Sequence, residues 1–456
     1  MAVAGAFDAT TDVRRTPGLS RAQGIVGWTT FGVVLLAVVP YGANDPVYWI
    51  ALAVLIMPLF VAQCVLLALR GVPRSLILLA GPALLWIAVL VWGIVQTLPV
   101  AEALAHPDWA RVDGVPGRIS TDPLAGRHIV LRLATYGMVF WIVAAAAQNR
   151  QRAVRFLQAF ALASLALAIW GLGVRLVGTN PLIPGDTRPY VVSTFINRNS
   201  YATYAAMGMI ANLAVYIHLV RERGKETSQR RRLRALLERF FRVGWIYAFG
   251  FLLCLSALLL SESRGGFLSG MVGLAVFALA SAQSFRRNLA IWVPVLLGFG
   301  LYAVALSSNV MARVFGVTTD ARFILYPKVW EGALDRPWLG HGLGAFEDAF
   351  QRYLPQEAAI GEWEKAHNSY LENAFELGLP AAVLMYAALG WIAVGLFRGA
   401  LVRTRYRLFV TVALPILVIG ALHSLVDFSL QMPASAAMFA ALLAIGWTHA
   451  IRTREG

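Results

Sequence analysis

Four short pieces of the chain gather the polar side chains able to bind an anion or move a proton. Ser193–Tyr201 holds Asn197, Arg198 and Asn199, and Ser261–Gly266 holds Glu262, Arg264 and a glycine pair. Thr319–Phe323 holds Asp320 and Arg322, and Lys365–Tyr370 holds His367 and Asn368. A guanidinium is planar, always charged and two-pronged, which suits phosphate oxygens. Arg264 lies between two apolar runs joined by only a few residues. An arginine at bilayer depth costs about 2.5–3.5 kcal/mol on insertion scales, so it calls for a partner. Free backbone N–H groups at a helix start beside Gly265 and Gly266 would complete an anion site. The alternative is an arginine that snorkels to headgroups or pairs with Glu262. Arg198 has the same two readings: an anion site with its neighbouring asparagines, or an interface anchor between helix caps. Taken alone, Arg322 reads as the partner of Asp320 or Glu331.

His367 is a neutral-pH base candidate close to the membrane surface, although a lone histidine is more often a plain polar residue than a catalyst. Asp427, in His423–Phe428, is a carboxylate beside an apolar layer and needs a partner. It either holds an arginine or histidine in place or belongs to a purely structural pair. The glycines of Asp335–Phe346 make a weak phosphate cradle, with no Gly-rich-Lys-Ser/Thr loop, and His341 among them reads as structural. No Asp-x-Asp, Asp-x-Glu, His-Glu-x-x-His or Gly-x-Ser-x-Gly occurs, so metal-assisted chemistry and serine hydrolysis lose ground. Cys64 and Cys254 sit in apolar runs and read as packing residues, with no disulfide framework or metal spacing.

The elements that must position these groups are membrane helices. The chain is 59% hydrophobic and 14% charged with a net charge of +15, where soluble proteins run near ~25% charged. That excludes a soluble enzyme, a disordered chain and a disulfide scaffold. The apolar pattern predicts an all-α integral membrane protein of twelve spans: 23–43, 47–69, 75–98, 128–147, 154–177, 199–219, 244–262, 265–284, 288–307, 370–396, 408–425 and 433–451. Residues 1–456 read as one polytopic domain, with no internal repeat. The N-terminus, with Asp8, Asp12, Arg14, Arg15 and Arg21 before a long apolar run, reads as an anchor rather than a cleavable signal. Of 39 Lys and Arg, 25 fall on one set of alternate loops. The other set holds 8 once the six in the long loop 308–369 are set aside. Both termini and the basic loop 221–242 therefore face the cytoplasm, where that loop meets anionic lipids rather than nucleic acid. Segments 99–127, 178–198 and 308–369 face outward.

In this order, Phe195–Asn199, Ser263–Gly266, Pro337–Phe346, His367–Glu372 and Glu376–Gly378 resemble the O-antigen ligase and O-antigen polymerase superfamily. The resemblance runs from about 190 to 385. It implies a metal-independent, inverting glycosyltransferase of the bacterial inner membrane, without cofactor and with its active site facing the periplasm. The donor would be an undecaprenyl-diphosphate-linked glycan. The acceptor would be the lipid A core in a ligase, or a second carrier-linked repeat unit in a polymerase. Arg198 and Arg264 match the family's diphosphate-binding arginines, Arg322 a further loop arginine, and His367 the proposed general base. Asn197, Asn199, Glu262, Asn368 and Asp427 would support them. His341 stands where the family has an apolar residue, and His423–Asp427 leans toward the exopolysaccharide and polymerase-like branch. A transporter of the carrier-linked glycan is the competing class; it would place ionisable residues midway along several spans.

Overall fold

The computed structural model describes residues 17–183, 185–186, 188–221, 241, 244–281, 322–355, 363–402 and 407–451. The expected span 288–307, the body of the basic loop 221–242 and the Arg322 side chain lie outside the described residues.

Among the described residues the chain is helical, with one isolated bridge, Pro99 to Arg118, and no longer strand. The helices are α1 (Pro17–Leu36), α2 (Pro46–Arg70), α3 (Arg74–Ile77), α4 (Ala80–Val95), α5 (Pro123–Ala146), α6 (Arg150–Val177) and α7 (Arg198–Arg221). They continue as α8 (Trp245–Leu260), α9 (Arg264–Ser281), α10 (Arg322–Asp335), α11 (Phe346–Phe350), α12 (Ser369–Leu377), α13 (Leu379–Val402), α14 (Arg407–His423) and α15 (Pro433–Ile451). Seven of them are long and apolar enough to cross a membrane: α2, α5, α6, α7, α9, α13 and α15. The shorter apolar helices α4, α8 and α14 fall at three more of the expected spans.

Local chemistry starts these helices where the sequence allows. Asp45 accepts from the Val47 N–H at the head of α2, and Asp122 accepts from the Leu124 and Ala125 N–H groups at the head of α5. Each is followed by proline, whose missing N–H is no loss at a first helical position. Small side chains then set which helices go inside. In α15, rich in Ala, 89% of the apolar window is buried, and in α7 72%, against 28% in the lipid-facing α2. Small residues let backbones approach closely where lipid offers no hydrophobic drive. In the same interior Asn212 of α7 donates to the carbonyls of Ala161 and Gly208 and to Ser164 Oγ, tying α7 to α6.

A second, smaller core caps one face of the helical array. Leu325 and Val329 of α10, Phe346 and Phe350 of α11 and Phe375 of α12 pack there.

The expected span 370–396 is a correction. It is two helices, α12 and α13, broken at Gly378, whose φ is +77°. The break is built against the glycine-rich loop. Leu379 N–H donates to Pro337 O at 2.7 Å, and the N–H groups of His341 and Gly342 donate to Phe375 O and Glu376 O. Two backbones this close leave no room for side chains. A Cβ on Gly340, itself at φ +68°, would collide with the Glu376 carbonyl and the Gly378 nitrogen. Periodicity showed one apolar run there because the break is made by a distant loop. Gly340→Ala should therefore destabilise the protein by about 2–3 kcal/mol, read as a lower thermal unfolding midpoint in detergent. An unchanged midpoint would show that the loop yields.

Candidate functional site

The turn that follows α14 is where the separate pieces meet. It closes on His423 O, which accepts from the Val426 and Asp427 N–H groups. Asp427 is wholly buried. Its Oδ2 accepts from Asn199 Nδ2 at 2.5 Å and lies 3.5 Å from His367 Nδ1, while Oδ1 accepts from the Phe428 N–H. Ser369 binds the same turn twice, N–H to Ser424 O and Oγ to Asp427 O. Thr203 Oγ1 lies 2.5 Å from His423 Nδ1 and donates to Ser429 Oγ. Gly265 packs directly on His423 and Val426, where a Cβ would stand 2.6 Å from Val426 Cγ2.

Arg198 and Arg264 each open a helix, α7 and α9. The first turns of these helices touch, since a Cβ on Gly266 would fall 2.5 Å from the Ala202 Cβ. The loop before α7 is pinned piece by piece. Ser193 Oγ donates to Leu167 O and Thr194 Oγ1 to Val38 O, and Phe195 is buried beneath Gly42. Asn197 is the cap, accepting from the Asn199 N–H at 2.7 Å. The structural alternative thus holds for Asn197, whereas Asn199 reaches Asp427. The Arg198 guanidinium lies 4.6 Å over the Tyr190 ring, a cation–π seat. Ser263 caps α9 by accepting from the Gly266 N–H. Glu262, just before it, has a left-handed backbone at φ +55°.

His367 has a left-handed backbone too, at φ +51°, uncommon for a residue with a side chain. Three contacts hold it. Tyr326 donates its hydroxyl to His367 O at 3.0 Å, Glu372 Oε2 accepts from the Ala366 N–H, and Asn368 caps α12 by accepting from Tyr370 and Leu371. The ring is 21% exposed, edge-on to Trp363 and 4.9 Å from Phe428. With Nδ1 facing Asp427, Nε2 is the nitrogen turned away from the carboxylate.

Behind it lies a buried set of charges that the motifs contained but the sequence reading left without a role. Glu372 Oε1 is 3.4 Å from Lys365 Nζ and accepts from Gln431 Nε2. Glu376 accepts from the N–H groups of Gly344 and Phe346 and so fixes the glycine-rich loop. Burial first, and then the Glu372 carboxylate, push the Glu376 carboxyl up. Burial alone would lower the Lys365 ammonium, but Glu372 and Glu376 outweigh it and hold it above its ordinary value. Arg132 of α5 was also missed. It lies 4.6 Å over the Trp49 ring, its Nε is buried without a hydrogen-bond partner, and its charge reaches Lys365. The available signal was an arginine inside an apolar run.

Residues 249–386 match the family model for O-antigen ligase. The match covers 138 of the 456 residues, and over that segment the chain is similar to the O-antigen ligase family. No curated protein matches the chain. The matched segment covers Arg264, Arg322, His367, Glu372 and Glu376, while Arg198, Asn199 and Asp427 lie outside it; Asp427 links Asn199 to His367. Among the described residues no three His, Cys, Asp or Glu side chains group as metal ligands.

His341 has a structural place in this segment. Its ring stacks on Phe375 with centroids 4.1 Å apart, its Nε2 lies 2.9 Å from Gly332 O, and its Nδ1 lies 3.0 Å from His106 Nε2. Asp108 offers His106 Nδ1 both its N–H at 3.3 Å and a carboxylate oxygen at 3.1 Å. The Gly332 carbonyl needs a proton on His341 Nε2. Two neutral rings then require His106 to donate from Nε2 and to accept the Asp108 N–H at Nδ1. Burial is the main cause that lowers His106 to about 3 and His341 to about 4, from 6.5. The unfolded rings take up protons below 6.5 and the folded ones do not, so stability is full above pH 6.5 and falls as pH drops toward 4. Segment 99–122, held by this pair, should become more sensitive to added protease between neutral pH and about pH 5. Equal cleavage across that range would contradict a neutral pair.

Proposed function

We propose that the chain is a glycosyltransferase that moves a glycan from an undecaprenyl-diphosphate carrier to an acceptor hydroxyl on the periplasmic side of the bacterial inner membrane. The observation that carries this reading is the Asp427 carboxylate, shared by Asn199 beside Arg198 and by His367. It joins a cationic helix start to a base candidate within a chain that has an O-antigen ligase segment.

The reaction assigns each group a task. Asp427 favours a proton on His367 Nδ1 and leaves the lone pair on Nε2. Nε2 takes the acceptor hydroxyl proton as that oxygen bonds to the anomeric carbon from the side opposite the leaving group, inverting the configuration. The bond from the anomeric carbon to the diphosphate oxygen breaks, and its electron pair leaves with the carrier diphosphate. Arg198 and Arg264, at the first turns of α7 and α9, meet the growing charge together with the positive ends of those helix dipoles. Arg322 is a further cation of this set by resemblance. Glu262 and Asn368 support the set from the head of α9 and the head of α12. In this scheme no metal ion or cofactor is required.

The acceptor most consistent with the family description is the lipid A core, as in a ligase. The alternative is a polymerase, in which a second carrier-linked repeat is the acceptor; the resemblance of the His423–Asp427 piece to the polymerase-like branch supports it. Deletion in the native host separates them on a surface-glycan gel. Long chains lost from lipid A while carrier-linked polymer accumulates identify a ligase, and single repeats reaching the surface identify a polymerase. A transporter would place ionisable residues midway along several spans; Arg132 of α5 is one such residue, whereas Arg198 and Arg264 stand at helix starts, which disfavours that class.

His367→Ala should abolish transfer without loss of protein from the membrane, and normal transfer by that variant would remove the base assignment. Asp427→Asn keeps the size and loses the charge; transfer should fall about 10²–10⁴-fold, in the range of acid–base contributions. Transfer should survive a chelator, and strict dependence on an added divalent ion would contradict phosphate neutralisation by arginine.

A further inference from the structure

On the face opposite His367, two arginines of different helices share one turn of α1. Arg70, the last residue of α2, donates from NH1 to Gln23 Oε1. Arg152, in the first turn of α6, donates to Ala146 O at 3.0 Å and to Ser20 O at 3.1 Å. Gly24 makes the seat, since a Cβ there would stand 2.8 Å from an Arg152 terminal nitrogen. The two guanidinium groups lie close enough to repel one another. Every described acceptor they have is neutral, and Arg70 Nε is buried with no partner. No described Asp or Glu lies on this face. Asp45 and Asp122 stand at the far ends of α2 and α5, and the rest lie in or beside the cap.

Two like charges held side by side by carbonyl groups, with an unmet N–H between helices, lack an anion among the described residues. We propose that Arg70 and Arg152 form a phosphate-binding site, separate from the site around His367. The partly exposed pair at the membrane end of three helices suits the phosphodiester of an anionic lipid, and a free phosphate presents the same oxygens. The site does not depend on the transferase reading.

The test uses the full chain in maltoside micelles, titrated separately with phosphatidylglycerol, phosphatidylcholine and inorganic phosphate. The readouts are the thermal unfolding midpoint and bound lipid by native mass spectrometry. A ligand bound by the folded state alone raises the midpoint. Phosphatidylglycerol should raise it and phosphatidylcholine should not, and Arg70→Gln should weaken the response about tenfold, the loss of one charge-assisted contact. If Arg70→Gln is not recovered folded, Arg152→Lys gives the same comparison, keeping the charge and losing the planar fork. A rise with inorganic phosphate too, lost in Arg70→Gln, supports the site with soluble phosphate as its ligand. No rise with any phosphate, an undiminished response in the variants, or a response lost only in Arg198→Gln overturns the proposal.

Discussion

A carboxylate with no exposed surface has to be met by donors, and Asp427 is the point at which this chain meets that demand. Leaving a buried charge unpaired costs several kcal/mol, so whatever answers it is held firmly. Asn199 at the head of α7 and the Phe428 N–H on its own turn donate to it, and the His367 ring, from the segment before α12, stands 3.5 Å away. Because Asn199 follows Arg198 and His367 precedes the α12 cap, satisfying one carboxylate also fixes where a cationic helix start stands relative to a base. The tight seat of Gly265 on the same turn adds the head of α9 and Arg264.

The cap serves that arrangement by spending its polar groups on backbone. Gln96 donates to Leu339 O and Glu376 O and accepts from the Leu343 N–H, Arg336 donates to Gly340 O, Ala105 O and Leu104 O, and Glu376 takes two further N–H groups of the glycine-rich loop. The neutral His106–His341 pair closes the loop from above. A loop that carries a break between two helices needs each exposed N–H and C=O answered locally, and glycine is required where two backbones touch. Those glycines are therefore scaffolding for α12, and through it for His367, rather than a phosphate cradle.

The sequence made the apolar helices legible because each buries against lipid or neighbours over a long run, and it brought out Arg198, Arg264 and His367 because charge in or beside an apolar run is conspicuous. It marked Asp427 as needing a partner and named histidine among the options. It did not show the break at Gly378, since that break depends on a loop about forty residues earlier (Pro337 to Gly340). It also passed over Arg132 and Glu376. Arg132 carried the same signal of charge inside an apolar run but lay outside the motif pieces, and Glu376 is bound to backbone, which leaves no spacing signature.

The distribution of charge separates the two faces physically. On the capped face, acids compete with any incoming anion for arginine, and the outcome differs from one arginine to the next. Arg188 is bound to Asp186 by paired hydrogen bonds at 2.6 and 2.9 Å, which leaves it little to offer a ligand. Arg198, ten residues on, has no described carboxylate partner and rests against Tyr190, so its charge stays available while its position is set. Asp427 stands at that helix start, where it accepts from an amide and a backbone N–H and lies 3.5 Å from an imidazole. A carboxylate met by an amide and a backbone N–H orients the imidazole beside it, and under the proposed transfer the adjoining guanidinium would remain for the departing diphosphate.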